Sequence, residues 1–349
     1  MKRFSILIAA LCLCLTGCGK QTTEAAAQIF AMDTVMEVAA YGEHAEQAVK
    51  YTEKRIEELE NRLSRTKADS LVSGLNRDGS IRHLTYDYWN LIARAKEYRD
   101  ATNGAFDITI APIMDAWGFT GDQFRVPEQS ELNELLKHVN SDEIQIQEEP
   151  AHSVTLGEGQ AIDLGGIAKG YTSDLVEQTF RANGIESGKI SLGGNVFVLG
   201  GKPDGSDWRV GIKDPRNESG LAAILSLRDA YAITSGGYER YFEENGKTYH
   251  HIIDPSTGYP ADSGLLSVTV VAADNGPDWA GAGNGAMCDA FSTALFVMGE
   301  EQALDFWRNG GYDFDLVLVT EDGRVVITAG LADRFEEVKD SGYTYETVS

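Results

Sequence analysis

The stretch that decides the fold is Ala161-Ile162-Asp163-Leu164-Gly165-Gly166-Ile167-Ala168-Lys169-Gly170. An apolar run leads into a glycine pair, and residues 167–180 then follow the pattern of an amphipathic helix. A helix that begins at such a turn presents unpaired N–H groups and the positive end of its dipole, which together favour an anion. Lys169 adds a positive charge in the first turn, and Asp163 could cap the helix or accept hydrogen bonds from a ligand. A tight strand-to-helix turn with a surface lysine explains the same residues without any ligand.

The N-terminus has the pattern of a secretory signal. A basic start is followed by the apolar run Phe4–Leu15 and by small residues before Cys18. The sequence Leu-Thr-Gly-Cys resembles a bacterial lipobox, which implies removal of residues 1–17 and attachment of lipid to Cys18. Residues 18–27 would then be a tether, and the protein would be lipid-anchored on the outer face of the cytoplasmic membrane. An ordinary secreted protein with a chance cysteine at the cleavage point is the alternative.

Charge and cysteine content narrow the classes of partner. The 349 residues include 30 basic and 54 acidic side chains, a formal net charge of −24. Such acidity argues against nucleic acid as a partner, and it means that a phosphate-rich ligand would need a local cation. Cys12 and Cys14 leave with the signal, so a lipidated Cys18 leaves Cys288 as the one remaining thiol, without a disulfide partner.

Apolar periodicity predicts strands with long helices inserted between them rather than strict β-α alternation. Helices are predicted over 45–63, 68–76, 86–101, 128–138 and 167–180, and strands over 29–41, 105–109, 144–146, 154–156, 190–192, 196–199, 208–212, 223–227 and 230–234. The fold class is therefore α+β, with a mixed, largely antiparallel sheet and inserted and flanking helices. Residues 28–349 are expected to form one catalytic domain with an internal seam near 121–127.

Two further segments carry groups that could perform chemistry. The first is His250-His251-Ile252-Ile253-Asp254-Pro255-Ser256-Thr257-Gly258, where a histidine could act as a general base above a strong turn signal. Asp254 could equally be no more than the side chain that shapes this turn. In the second, Asp289 and Thr293 share one face of a predicted helix, so both could reach one hard cation. A helix-capping aspartate and a threonine bonded to its own turn explain that pair equally well. The preceding 274–287 segment is glycine-rich and is expected to be a loop or a flap over the site.

Seven segments are consistent with one family when they are taken in chain order. They are Ala31–Thr34, Asp69–Asn76, Gly104–Asp107, Ala161–Gly170, Ser191–Asn195, His251–Gly258 and Asp289–Leu295. Together they resemble the ApbE-type FAD:protein FMN transferases over most of the chain. The resemblance implies an enzyme at the periplasmic or outer surface that takes FAD, uses Mg²⁺ and modifies a partner flavoprotein.

The resemblance also implies roles for individual residues. FAD would contact Met32, Thr66, Ala105, Phe106, Asp107, Asp163, Lys169, Ile252 and Ile253. Mg²⁺ would be held by the Gly166 carbonyl oxygen with the Asp289 and Thr293 side chains, while His251 and Asp254 would be catalytic, His251 as the general base. Many members carry an aromatic residue near the position of Thr66 that stacks on the flavin. Since threonine cannot stack, FAD is expected to be held more loosely in this chain.

The implied reaction is Mg²⁺-dependent transfer of FMN from FAD to a threonine or serine hydroxyl of an acceptor flavoprotein, with release of AMP. Two alternatives share the same residues: a pyrophosphatase that splits FAD into FMN and AMP, and a flavin-binding lipoprotein without catalysis. A solute-binding lipoprotein fits poorly because the βαβ alternation of a two-lobed receptor is missing. If His251 is the base, the rate should fall as the pH drops through the ordinary histidine range.

Overall fold

A computed structural model describes residues 23–121, 123–276 and 283–349. The predicted signal peptide and residues 18–22 of the predicted tether, including Cys18, lie outside these residues. Within the described ranges, none of the helices combines the length and the apolar character needed to cross a membrane.

The chain forms seventeen strands and eight α-helices within these ranges. The strands are β1 (Glu24–Ala31), β2 (Thr34–Tyr41), β3 (Ser80–Arg82), β4 (Gln145–Gln147), β5 (Ser153–Thr155), β6 (Ser187–Leu192), β7 (Asn195–Leu199), β8 (Trp208–Asp214), β9 (Asn217–Leu227), β10 (Ala230–Gly236), β11 (Tyr241–Glu244), β12 (Lys247–His250), β13 (Leu265–Ala273), β14 (Asp315–Thr320), β15 (Arg324–Thr328), β16 (Phe335–Glu337) and β17 (Thr344–Val348). The helices are α1 (Ala45–Leu63), α2 (Leu71–Asp78), α3 (Tyr86–Ala101), α4 (Ala111–Trp117), α5 (Gln129–Leu135), α6 (Ala168–Ala182), α7 (Asn284–Met298) and α8 (Glu300–Asn309).

A nine-stranded sheet in the order β1-β2-β6-β7-β10-β13-β14-β15-β17 is the centre of the fold. Every neighbouring pair in it is antiparallel except β15 and β17, which are parallel. Three smaller sheets accompany it: β3-β5-β4, β16-β9-β8 and the β11-β12 hairpin. The predicted α+β class with a mixed, largely antiparallel sheet is thus confirmed.

Helices cover one face of the large sheet and the β16-β9-β8 sheet covers the other. Successive side chains of β10 point to opposite faces of the large sheet. Tyr231 and Ile233 pack in the core on the helix side, whereas Ala230 and Ala232 pack in the core beneath the small sheet. A third apolar cluster joins α4 and α5 to the segment after β12 and includes Trp117 and Ile253. These layers bring the beginning of α6, the middle of α7 and the ends of β7 and β10 to one place.

Long helices with clear periodicity match their predictions. The buried residues of α1 recur every three or four positions, from Ala45 through Ile56 to Leu63, so that one stripe faces the sheet. The predicted bounds of α1 and α3 agree with the structure. Asn103 and Gly104 both have positive φ after α3, as the predicted left-handed helix end requires.

The predicted strand over 29–41 is wrong because it is a hairpin. Met32 and Asp33 both adopt left-handed conformations, with φ of 50° and 59°, and Ala31 pairs with Thr34 across the turn. The turn has no glycine, so the usual Asn-Gly or Asp-Gly signal was missing. The hairpin begins at Glu24, so residues 24–27, predicted as tether, are the first half of β1.

Two other predictions need correction. Residues 105–109 are not a strand, because the Asp107 side chain accepts a hydrogen bond from the Thr109 N–H (2.8 Å) and begins a short 3₁₀-helix over Ile108–Ile110. The expected 274–287 loop is shorter than predicted, since α7 begins at Asn284. The remainder, 277–282, lies outside the described residues.

Candidate functional site

The Asp289 carboxylate is the centre of the site. It lies in the second turn of α7, has 3% of its surface exposed, and is therefore not the helix-capping residue of its own helix. Its Oδ2 accepts a hydrogen bond from the Gly170 N–H (2.8 Å), and its Oδ1 accepts one from the Asn195 side-chain amide (3.0 Å). The anion that the N-terminus of α6 attracts is thus a carboxylate of the protein itself.

Burial makes the ionised form of Asp289 costly. Desolvation raises the pKa of the Asp289 carboxyl, and the positive charge of Lys169 and the Gly170 N–H lower it in part. A carboxylate of this kind gains from any further cation nearby. The site therefore favours a bound cation on electrostatic grounds alone.

Two of the three residues predicted to hold Mg²⁺, Gly166 and Thr293, lie side by side. A Cβ placed on Gly166 would lie 3.5 Å from the Thr293 Oγ1 and 3.1 Å from the Phe106 ring. Thr293 Oγ1 also shares a hydrogen bond with the Ser235 hydroxyl at the end of β10 (3.1 Å). A carboxylate, a hydroxyl and a backbone carbonyl are ligands that suit a hard cation such as Mg²⁺. In the described ranges, no group of three or more His, Cys, Asp or Glu side chains could hold a metal, so this site relies on one carboxylate.

Asn195 contributes an unsatisfied acceptor beside this carboxylate. Its side chain is fully buried, and its Oδ1 has no hydrogen-bond partner while its amide donates to Asp289. A buried amide oxygen without a partner costs free energy on the order of 1–3 kcal/mol. An ion or its bound water at the site would satisfy it, so the chemistry of these residues fits the predicted metal.

The two neighbouring histidines have different surroundings. His250 uses both ring nitrogens on the backbone, at the Ala261 carbonyl (3.1 Å) and the Ile252 N–H (3.3 Å). His251 uses only Nδ1, which lies 3.1 Å from the Arg240 carbonyl oxygen. Because a carbonyl can only accept, Nδ1 carries the hydrogen and Nε2 keeps its lone pair. His251 therefore has the tautomer that a general base needs.

Burial also sets the charge of His251. Desolvation, helped by the nearby charge of Lys169, lowers the pKa of its imidazole to about 4. The positive charge of Lys169 lowers the pKa of both His251 and Asp289. The imidazole is neutral near pH 7 and can accept a proton.

The turn after His251 is built by Asp254. Its Oδ1 accepts hydrogen bonds from the Ser256 N–H (2.8 Å) and hydroxyl (2.7 Å), which is the turn-shaping geometry of an Asx residue. Trp117 Nε1 donates to the Gly258 carbonyl (2.7 Å) and ties the turn to α4. Both Ile252 and Ile253 are buried beside the turn.

Asp163 and Thr66 are joined through a residue that sequence reasoning missed. Arg65 contacts Asp163 (3.2 Å) and Asp115 (2.7 Å) and donates to Thr120 (2.6 Å), with 12% of its side chain exposed. Asp163 also accepts from the Gly165 N–H (2.8 Å), so it stabilises the glycine turn. Thr66 is exposed and lies next to Arg65, so Arg65 holds its loop against the site.

The remaining predicted flavin contacts differ in accessibility. Met32 lies against α6, where its sulfur is 3.8 Å from the Thr172 hydroxyl. Ala105 is partly buried and precedes Phe106, whose ring reaches Gly166. Asp107 is buried in a network with Thr109 and Ser141, so its observed contacts are structural.

Two further residues of the site, Ser235 and Asn195, were not predicted because they look like ordinary strand residues in the sequence. Ser235 follows a predicted strand, and Asn195 was quoted within a motif without a role. Glycine pairs beside both residues, at 193–194 and 236–237, were the one available signal.

The structure and the sequence of this chain are both similar to those of known proteins. The architecture matches the ApbE protein of Thermotoga maritima (TM-score 0.77, 31% identity, 91% of this chain and 97% of that chain) and the flavinyl transferase ApbE of Pseudomonas stutzeri (TM-score 0.73, 27% identity, 86% and 92%). Among curated relatives, the FAD:protein FMN transferase of Treponema pallidum is 32% identical over 307 residues (83% of this chain, 82% of the relative). That of Klebsiella pneumoniae is 34% identical over 294 residues (82% and 86%).

The sequence model of the ApbE family matches residues 32–316. The chain therefore belongs to the ApbE family. The resemblance recognised from the seven sequence segments is confirmed.

Proposed function

We propose that this enzyme transfers FMN from FAD to a threonine or serine hydroxyl of an acceptor flavoprotein, releases AMP, and uses Mg²⁺. The observation that carries the proposal is the convergence of a neutral histidine, a lysine and a buried carboxylate at one helix N-terminus. The names of the relatives, FAD:protein FMN transferase, support the same reaction.

His251 and Lys169 have different roles in the proposed phosphoryl transfer. The acceptor hydroxyl oxygen attacks the phosphorus of the FMN half, its proton passes to Nε2 of His251, and the bond to the AMP phosphate breaks. The new bond is a phosphoester between the acceptor oxygen and FMN, and AMP leaves with the bridging oxygen. Lys169 offsets phosphate charge in a chain that is strongly acidic overall.

Mg²⁺ would be held by Asp289, Thr293 and the Gly166 carbonyl. When bound, it would neutralise charge on the pyrophosphate oxygens. Asn195 and the Gly170 N–H fix the orientation of the Asp289 carboxylate, so the protein contributes a preformed position for the ion.

The flavin contacts remain part of the proposal. Phe106 borders the metal position, and Met32 and Asp163 border α6. Thr66 is exposed at the rim and offers no ring to stack on the isoalloxazine. We expect the flavin to be held mainly by the other residues.

One experiment tests the reaction itself. The purified chain is incubated with FAD and Mg²⁺, with and without an acceptor flavoprotein domain, and the acceptor is analysed by mass spectrometry. The control is the same acceptor with its target hydroxyl residue replaced by alanine. Gain of one FMN unit on the intact acceptor alone supports transfer. Free FMN and AMP without any modified acceptor would show a pyrophosphatase, and unchanged FAD would show a flavin-binding protein.

We also propose that lipid on Cys18 anchors the enzyme on the outer face of the cytoplasmic membrane. Since β1 begins at Glu24, residues 19–23 would be the whole connection. At roughly 3.3–3.6 Å per residue, this linker limits the catalytic domain to positions near the membrane surface. Cys18→Ser should move the protein from the membrane to the soluble fraction, and retention on the membrane would refute the anchor.

A further inference from the structure

Helices α6 and α7 cap each other's N-terminus. Asp289 of α7 accepts from the Gly170 N–H in the first turn of α6 (2.8 Å). In return, Asp174 of α6 accepts from the N–H groups of Gly283 (3.1 Å), Gly285 (2.7 Å) and Ala286 (2.9 Å) at the beginning of α7. Each helix thus supplies the carboxylate that the other helix lacks in its own sequence.

The two helices approach backbone to backbone where these caps lie. A side chain on Gly170 would overlap the Gly285 carbonyl oxygen and the Asp289 Cβ, and one on Gly285 would overlap the Gly170 carbonyl oxygen. No side chain lies between the two helix backbones at this contact. Any displacement of α7 therefore changes the distance between Asp289 and Gly166 directly. The position of α7 therefore decides the geometry of the oxygen donors.

Asp174 is buried at this contact, with 3% of its surface exposed. Asp174 and Tyr231 line the same cavity of about 280 Å³. Burial raises the pKa of the Asp174 carboxyl to about 7, while the N–H donors and Tyr231 lower it in part. Burying a carboxylate is costly, and replacing a capping aspartate usually destabilises the helix that it caps.

We infer that Asp174 is a positioning residue for the metal site: by capping α7 from α6, it holds Asp289 and Thr293 at the distance from Gly166 that a cation requires. This inference rests on the proposed function, because it takes Asp289 as a metal ligand. Asp174 itself touches neither the metal position nor the predicted flavin contacts. Its effect should appear in metal affinity rather than in FAD binding.

The test is Asp174→Asn, which keeps the side-chain volume but places an amide donor against the N–H groups of α7. We expect the Mg²⁺ concentration for half-maximal turnover to rise about 10–100-fold, as for other residues that orient metal ligands. Excess Mg²⁺ should restore turnover to within a few-fold of wild type. Calorimetric titration of the FAD-bound protein with Mg²⁺ should show the same weakening without reliance on activity, while FAD affinity without metal stays unchanged.

Glu177→Gln is the matched control. Glu177 lies on the same helix, is equally buried, and bonds to Arg181 instead of to α7. It should lower thermal stability without shifting the Mg²⁺ titration. If Asp174→Asn lowers stability in the same way and its Mg²⁺ titration does not move, Asp174 is a structural residue and the inference is wrong.

A milder variant covers the case in which Asp174→Asn does not fold. Tyr231→Phe removes a single hydroxyl from the cavity that Asp174 lines and should weaken Mg²⁺ binding about 2–5-fold. An unchanged Mg²⁺ titration in this variant would also contradict the inference. Identical titrations of wild type and Asp289→Ala would instead refute the metal assignment of the proposed function, and the positioning role with it.

Discussion

The carboxylate side of the site, formed by α6 and α7, is buried, and the histidine side, formed by residues 250–258, is partly buried. The pKa values of their ionisable groups shift in opposite directions. Burial raises the pKa of Asp289 and lowers that of His251, so both groups are driven towards their neutral forms. Neutrality is what a general base requires, whereas a metal ligand must be charged. The histidine side therefore suits the proposed base role as it stands, whereas the proposed metal role of the carboxylate side depends on a cation.

Asp289 and His251 also differ in the hydrogen bonds that hold their side chains. Asp289 is fixed by hydrogen bonds to both oxygens from two different elements, α6 and β7. His251 is fixed through Nδ1 only, and an aromatic cluster containing Phe119 lies against its ring. A substitution of Asp289 should therefore change the metal dependence of the reaction. A substitution of His251 should instead remove the proton acceptor.

The largest effect is expected on the histidine side. His251→Ala should reduce FMN transfer by about 10²–10⁴-fold, the usual range for loss of a general base, while FAD affinity changes little. Transfer is measured by mass gain of the acceptor, and binding by flavin fluorescence.

His250→Ala is the matched control for this prediction. Its ring bonds only to the backbone, so stability should fall while transfer is largely kept. Near wild-type transfer by His251→Ala would remove His251 from the base role. Lost FAD binding would assign it to the binding site and make Asp254 the next candidate.

On the carboxylate side, Asp289→Ala should reduce Mg²⁺-dependent transfer by about 10²–10³-fold, because a metal ion supplies several kcal/mol of charge stabilisation. Activity is followed across a Mg²⁺ series. Glu301→Ala, an exposed acid at the beginning of α8, should behave as wild type. Unchanged activity with unchanged metal dependence in Asp289→Ala would leave this carboxylate with only its capping role at α6.

A smaller effect is expected when the support of Asp289 is removed. Asn195→Ala should weaken the apparent Mg²⁺ affinity about 10–100-fold, because the Asp289 carboxylate loses a hydrogen bond that orients it. The measurement is the Mg²⁺ concentration at half-maximal transfer. Asn217→Ala, an exposed asparagine on β9, is the control. Equal values for both variants would show that Asn195 does not orient the ligand.

The pH profile should show the smallest change and gives a correction to the sequence-based expectation. With the pKa of His251 lowered to about 4, the imidazole stays neutral through the ordinary histidine range near 6.5. Transfer should be nearly constant from about pH 8 to pH 6 and should fall only as the pH approaches 4. A midpoint near 6.5 would contradict the buried position of this ring.

The lowered pKa of His251 also makes the stability of the folded protein depend on pH. Because the folded pKa lies below the unfolded value, the contribution of His251 to stability is complete above about pH 6.5 and is lost as the pH falls towards 4. Circular dichroism at each pH therefore separates unfolding from loss of the base. His251→Ala should lose less stability over that range than wild type does.

Strong local patterns explain what could be predicted. The stripe of α1 and the capped end of α3 follow from residues close together in sequence, and their bounds agreed with the structure. The hairpin at Met32 and the 3₁₀-helix at Ile108 did not follow the expected patterns. Their turns depend on a pair of non-glycine left-handed residues and on one aspartate cap.

The amino-acid sequence by itself determined the α+β class, the bounds of α1 and α3, the family, and the glycine turn before α6. Only the tertiary structure decided which groups meet. It showed that Asp289 caps α6, that Arg65 reaches Asp163, and that Asn195 and Ser235 contact Asp289 and Thr293, the two side chains proposed to hold the metal. These contacts join residues about 60–120 positions apart, and no local propensity encodes them. They arise because the large sheet and its helices bury their apolar faces together, and this packing brings α6 and β7 against the Asp289 carboxylate.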